Sequence, residues 1–319
     1  MALSDLAVFS EYVYTAQTEV LRQQIDLFNS ATRGAIVLRS AAHVGDFSDV
    51  AMWAKISGLV RRRNAYGSGA VTAKNLSHLV DTMVKVAAGT PPVNMPPGQF
   101  EWIQRNPEEG GAVVGQQLAV DTLADMLNTG ILAGVAALSG VAAVIEDGTS
   151  GTAEVSSFND AQALFGDQYQ SIVAWVMHSK PLFDIFGAAL ANAEGLFTFG
   201  SVNVRTDPFG RIFVISDSPA LVNTTPTPDE YNTLGLVPGA INVHQNGDFT
   251  DNFETSNGDE NIQRTYQAEW TYELGVKGFA WDKTNGGKSP NDAAIGTSTN
   301  WDRFATSVKD LAGVLLQTQ

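Results

Sequence analysis

The chain has 319 residues, 34 acidic against 19 basic side chains, a formal net charge of −15 and no cysteine. Such a length buries one large core or two ordinary ones, and the acidic balance excludes a general grip on nucleic acid, which needs Lys and Arg in excess over at least one face. The missing thiols exclude disulfide frameworks, thiolate zinc sites and cysteine nucleophiles.

With 44% hydrophobic and 17% charged residues, the chain is globular and poorer in charge than the usual quarter. Much of its surface is therefore uncharged. That suits burial against partners, and equally a monomer coated with Ser, Thr, Asn and Gln.

The N-terminal stretch lacks a basic region and carries Asp5, Glu11 and Glu19, unlike a secretory signal. From Ser4 to Asn29 the residues Leu6, Val8, Phe9, Val13, Val20, Leu21, Ile25 and Leu27 recur at helical spacing, and the chain turns at "NSATRG". "AIVLRS" reads as a strand and "DVAMWAKISGLV" is ambiguous. "KNLSHLVDTMVKVAAG" places Leu76, Leu79, Val80, Met83, Val84 and Val86 largely on one face before stopping at Gly89.

"GTPPVNMPPGQFEW" packs four prolines between Pro91 and Pro97, so it is extended and marks a boundary. Asn106, Pro107, Glu108 and Glu109 then start a helix, with Pro early and acids at the positive end of the macrodipole. The pattern predicts a helix from Glu108 to Ile145, about 50 Å long if continuous, which Gly130 or Gly134 could bend. Its apolar end, Thr129 to Ile145, is 17 residues long, marginal for a membrane span and better read as a buried core helix.

Beyond the loop "EDGTSGTAEV", two more helical patterns are interrupted at Lys180-Pro181. Strands follow in "LFTFGSVNVRT" and "RIFVISDSPALV", joined by the turn residues Asp207 to Gly210. The remainder is strand and loop. This order is α+β and does not alternate as a doubly wound fold would.

No catalytic, cofactor or metal site stands out. Ser68 in "YGSGA" lacks the spacing of a nucleophile elbow. His43, His78, His178 and His244 are far apart in sequence and read as surface or capped core histidines. "NGGKSP" supplies Lys288 and Ser289 of a Walker-type ending, but Asp282 stands where the first glycine should be and Pro290 blocks the helix. The acidic run from Asn246 to Asn261 lacks a calcium-hand register and reads as a solvated loop.

The segments Arg264 to Asp282, "RTYQAEWTYELGVKGFAWD", and Asn300 to Thr318, "NWDRFATSVKDLAGVLLQT", resemble the closing region of tailed-bacteriophage major capsid proteins, those with the tailed-phage/herpesvirus capsid fold. The resemblance implies an N-terminal arm (1–35), an extended β-hairpin loop (36–88) and a peripheral domain with spine helix (89–150). An axial domain (151–244), peripheral return strands (245–275) and an axial C-terminal part (276–319) complete the implied layout. It implies a non-enzymatic virion protein that self-assembles, as hexamers and pentamers, into an icosahedral head enclosing double-stranded DNA without sequence-specific binding. No membrane is involved. Separate scaffolding, portal and decoration proteins are candidate partners; the spine begins near residue 108 and leaves no space for a built-in scaffold, so assembly would need a separate scaffold or none, and would take place in the host cytoplasm.

Two alternatives stand beside it. One is a hydrolase or carbohydrate-active enzyme using Asp248, Asp251 and Glu254 as paired carboxylates. The other is an encapsulating compartment of the same fold.

"SGLVRRRNAYGSGAVTAK", Ser57 to Lys74, falls on the extended loop of that layout. Arg61, Arg62 and Arg63, with Tyr66, are inter-subunit contact candidates, because guanidinium forks pair carboxylates at two points. A solvated charge run is the bland reading of the same residues. Gly58, Gly67 and Gly69 are candidate hinges.

Overall fold

A computed structural model gives the architecture and describes residues 3–53, 60–76, 78–96, 98, 101, 105–186, 194–199, 202–206, 211–257, 260 and 262–319. Two long helices open the design. Helix α1 spans Leu3–Ala31 and α2 spans Pro107–Ser139. On α1 the buried residues Phe9, Val13, Gln17, Leu21, Ile25 and Phe28 recur every three or four positions, one stripe of a 3.6-residue period. That stripe meets the Gly111, Gly115, Ala119 edge of α2.

The approach is at backbone distance. A Cβ added at Gly111 would stand 2.8 Å from the Phe9 carbonyl oxygen, and one at Gly115 2.6 Å from that of Val13. Pro107 opens α2 beside Glu108 and Glu109, as the sequence predicts.

The expected extension of α2 to Ile145 is not realised. The helix stops at Ser139, whose hydroxyl donates to the Ala136 carbonyl. Residues Ala142–Val144 make a 3₁₀ turn, and Ile145–Gly148 form strand β5. The β-branched Val141, Val144 and Ile145 gain more from the sheet edge than from a further helical turn. Helix α2 runs unbroken through Gly130 and Gly134, which let it lie on the sheet, since an added Cβ at either would stand 3.0 Å from Ile241. By length and composition α2 could cross a membrane, yet two-thirds of its most apolar stretch is buried inside the protein.

Two sheets hold the rest. The nine-stranded sheet contains β1 (Ile36–Ser40), β2 (Phe47–Trp53), β3 (His78–Gly89), β4 (Val93–Asn94), β12 (Ile241–Gln245), β13 (Thr250–Ser256), β14 (Gln263–Val276), β15 (Phe279–Trp281) and β16 (Trp301–Arg303). The eight-stranded sheet runs β5, β17 (Gly313–Thr318), β11 (Glu230–Leu236), β6 (Ala174–Met177), β9 (Ile212–Ile215), β8 (Val202–Thr206) and β7 (Glu194–Phe199), with β10 (Val222–Asn223) on β11. The chain enters the second sheet at residue 145, leaves it by residue 241 and returns at residue 313.

Three further expectations change. The shared face of Leu76 to Val86 belongs to no helix; His78–Gly89 is strand β3, with Thr82, Met83 and Val84 buried in succession because both faces are covered there. The interruption placed at Lys180-Pro181 lies earlier, at β6. Helix α3 (Val155–Ala163) precedes it and helix α4 (Ser179–Phe186) follows, with Pro181 in the first turn of α4, where its missing N–H costs nothing. The acidic run holds strand β13, paired with β14 from Thr250 opposite Glu269 to Ser256 opposite Gln263. The strands either side of the Asp207 to Gly210 turn, β8 and β9, pair antiparallel as expected, while "LFTFGSVNVRT", read as one unit, divides into the antiparallel pair β7 and β8; the turn itself lies outside the described residues.

Strand β14 is paired on both edges. One edge takes β13 and then β12, the other β4 and then β3. Where β12 gives way to β13, Asp248 accepts from the Thr271 amide and hydroxyl, and the Asn246 side chain donates to that hydroxyl at 2.8 Å. On the other edge the Ala268 amide donates to the Thr90 hydroxyl at 2.8 Å. Residues 90–96 thus follow β14 as an extended edge, with Pro91, Pro92 and Pro96 where no donor is required.

Gly115→Ala should destabilise the unassembled chain by up to about 2 kcal/mol in urea unfolding, because forcing the helix backbones apart costs about 1–3 kcal/mol against a ~1 kcal/mol gain in helix propensity. Gly69→Ala, where an added Cβ meets nothing, should be neutral.

Candidate inter-subunit surface

The candidate surface is built on the β2–β3 hairpin. Its strands pair antiparallel from Phe47 opposite Val84 out to Trp53 opposite His78, where the two rings stack at 3.8 Å. Beyond them every residue from 60 to 76 is exposed. Val60 is 94% and Tyr66 99% accessible, and Val71, Leu76, Val80 and Trp53 are also exposed. Val60 and Tyr66 above all are large apolar groups left almost wholly bare, a pattern that suits a surface covered by another chain.

The root of the hairpin is fixed by charge. Lys283 pairs with Asp49 at 2.5 Å, and its ammonium lies 5.3 Å from the Phe47 ring centroid. Asp49 also accepts from Thr82 at 2.8 Å. Lys288, the residue of the rejected Walker-like ending, pairs with Asp46 at 2.7 Å. Hydrogen bonds from Lys283 and Thr82 hold the Asp49 carboxyl below its ordinary range, and the Lys288 contact does the same for Asp46.

Behind the root, one transverse row crosses the sheet. Arg39 stands opposite His244, His244 opposite Glu273, and Glu273 opposite Lys85. The buried Glu273 lies 3.7 Å from His43 and 4.0 Å from His244, so two histidines remote in sequence share one carboxylate. Burial raises the Glu273 carboxyl, with His43 and Lys85 opposing the shift; burial, with Arg39 nearby, lowers His244. Among the described residues no three His, Asp or Glu side chains are disposed to hold a metal.

Arg61, Arg62 and Arg63 are exposed, and the Arg61 guanidinium reaches only the Arg62 carbonyl, at 3.5 Å. Asn64 caps the turn that follows, accepting from the Tyr66 amide at 3.0 Å. Neither Gly67 nor Gly69 adopts the left-handed region, and Gly58 lies outside the described residues. The carboxylates of the enzyme alternative do separate jobs. Asp248 completes the ladder at Thr271, while Asp251 and Glu254, three apart on β13, point to opposite faces.

A pocket of about 360 Å³ opens between the hairpin and the segment after β16, lined by Trp53, Leu79, Asp81, Gly239, Asn242, Lys277, Gly278, Phe304, Ala305, Thr306 and Asp310. Asp81 Oδ1 is buried there without a hydrogen-bond partner, and burial pushes its carboxyl up to about 6. Sequence reasoning missed Asp46, Asp49, Asp81, Lys283 and Lys288. Asp49 and Lys283 are 234 positions apart, and no local pattern marks such a pair.

A family model described as major capsid protein 13-like matches residues 5–315. The chain belongs to that family. It is a structural protein, a subunit of the icosahedral capsid of a tailed phage and a component of the virion. Among solved structures, the cyanophage Pam1 capsid asymmetric unit is similar at 10% identity and a TM-score of 0.50, covering 89% of this chain and 88% of that one. The Ralstonia phage GP4 capsid is similar at 12% identity and a TM-score of 0.47, covering 89% and 87%. The Pam1 likeness shows that the α+β architecture is that of a phage capsid subunit. No curated protein matches the chain.

Two outcomes are expected. Replacing Lys283 and Lys288 by Met should speed amide exchange of residues 47–53 by up to about fivefold per lost pair, as surface ion pairs are worth about 0–1 kcal/mol, while β14 stays protected. Since Asp46 and Asp49 are depressed, the clamps hold above the ordinary carboxylate pKa of about 3.9 and release as pH falls through the lower folded values. Asp81 has the opposite sign. Its charged form penalises the fold, so unassembled-chain stability should rise as pH falls from about 6 towards 4; Asp81→Asn should abolish that rise and add about 1 kcal/mol at pH 7, a shift discounted for solvent screening.

Proposed function

We propose that the chain forms the head shell through hexamers and pentamers, with the β2–β3 hairpin reaching over a neighbouring subunit. In this reading α2 with the strands of the nine-stranded sheet outside residues 36–88 is the peripheral domain and the eight-stranded sheet is the axial domain. Residues 1–35 are the arm and 36–88 the extended loop. The observation that carries it is the hairpin: a clamped root, and a tip whose every described residue from 60 to 76 is exposed. A loop held at one end and unpacked at the other is ordered by what it lies upon.

Arg61, Arg62, Arg63 and Tyr66 make the contact, the arginines with carboxylates of the next subunit and the tyrosine with apolar surface. Gly58, Gly67 and Gly69 supply the bending that fits the loop to different neighbours. The net charge of −15 supports a shell that encloses double-stranded DNA without gripping its sequence or its phosphates. Separate scaffolding, portal and decoration proteins complete the particle, and assembly takes place in the host cytoplasm.

Expressed alone or with its scaffold, the chain should give capsomer rings or closed shells by size exclusion and negative-stain microscopy; a chain that stays monomeric under both conditions would overturn the reading. Arg61→Ala/Arg62→Ala/Arg63→Ala should leave subunit unfolding unchanged and lower shell stability to heat and salt. Shells of undiminished resistance would return the arginines to a solvated run.

A further inference from the structure

The pocket beneath the hairpin has the chemistry of a guanidinium receptor. Trp53, Leu79, Phe304 and Ala305 supply aromatic and aliphatic wall, and Asp81 supplies a carboxylate with one oxygen buried and unpartnered. Lys277 also lines the pocket but directs its ammonium at the Pro238 carbonyl, 3.4 Å away, and burial alone accounts for the state of Asp81. A carboxylate taken out of water without a cation is a cost to the free subunit. An incoming cationic side chain relieves it.

Arginine fits these walls better than lysine. Its planar head stacks on aromatic faces, is more weakly hydrated than an ammonium, and can meet a carboxylate through two parallel N–H donors. A divalent metal is poorly served, since it would need several oxygen ligands. The chain itself carries the matching group. Arg61, Arg62 and Arg63 are three consecutive exposed guanidinium groups that no carboxylate of their own subunit approaches among the described residues.

Resting on the shell reading above, we propose that the pocket around Asp81 receives an arginine of the Arg61–Arg63 run from a second copy of the chain. The occupant comes from another copy because Arg61, Arg62 and Arg63 are exposed and, among the described residues, no carboxylate of their own subunit approaches them. Each subunit is then donor at its hairpin tip and acceptor along its hairpin flank. This is a heterologous contact that repeats around a ring.

The absence of native cysteine allows a direct test. Arg62→Cys combined with Thr306→Cys, oxidised mildly after assembly, should give a ladder of covalently linked multimers on a non-reducing gel, and neither single variant should. Shells that form but do not link would overturn the pocket assignment and leave the shell reading standing. A disulfide confined within single chains would put the subunit's own loop in the pocket, and would also overturn it. Failure of the unsubstituted chain to assemble, even with its scaffold, would overturn both.

Asp81→Asn keeps the side-chain shape and tests the same contact without new thiols. It should lower the denaturant midpoint of shell dissociation as far as the triple arginine-to-alanine variant does, with no further drop when the two are combined. Additive effects, or shells indifferent to Asp81→Asn, would overturn the pairing.

Discussion

Strand β14 is the interaction on which the rest depends. Over its fourteen residues it carries β13 and β12 on one edge and β4 and β3 on the other, so segments distant in sequence are aligned by one backbone. An interior strand has no freedom to slip, because a one-residue shift would turn Trp270, Tyr272 and Leu274 away from the core. Tyr272 locks the register from the helix side as well, with its hydroxyl 2.9 Å from that of Thr129 and 3.0 Å from Asp125. Burial, with the nearby Asp125 charge, pushes that phenol well above its ordinary range, so it serves as a neutral donor.

The helices are fitted to this sheet by the absence of side chains. Gly130 and Gly134 bring α2 down onto Ile241, and Gly111 and Gly115 bring α1 down onto α2. The result is a layered, close-packed base. One discordant note is Gln17, buried between the helices with neither amide atom hydrogen-bonded. Against this base the hairpin is a different material. It is secured at its root by two lysine–aspartate pairs, and its outer part offers apolar and cationic groups to solvent.

That contrast suits a shell subunit. Stability resides in the apolar base, where no partner is needed, and the hairpin is a ribbon whose exposed Val60, Tyr66 and Val71 would be a liability on a monomer. The acidic surplus sits with the same logic, since like charge over the body discourages indiscriminate aggregation while leaving the arginine run as a local exception.

The sequence by itself determined the helix start at Pro107, the amphipathic α1, the extended proline segment, the β8-β9 strands joined at Asp207 to Gly210 and, through the "LGVKGFAWD" and "NWDRFATSVKD" segments, the family. These are readable because they depend on local periodicity, on backbone restriction by proline, or on a string of residues in fixed order. Only the tertiary structure decided that Lys74 to Gly89 holds a strand, that the acidic run pairs with β14, and that α2 ends at Ser139. In each case a partner strand overrides a weaker local preference. The clamps of Asp46 and Asp49, the shared carboxylate of His43 and His244, and the unpaired Asp81 likewise depend on residues up to 234 positions apart. Charge pairing at that range leaves no trace in composition or spacing, because what brings the two groups together is the fold of everything between them.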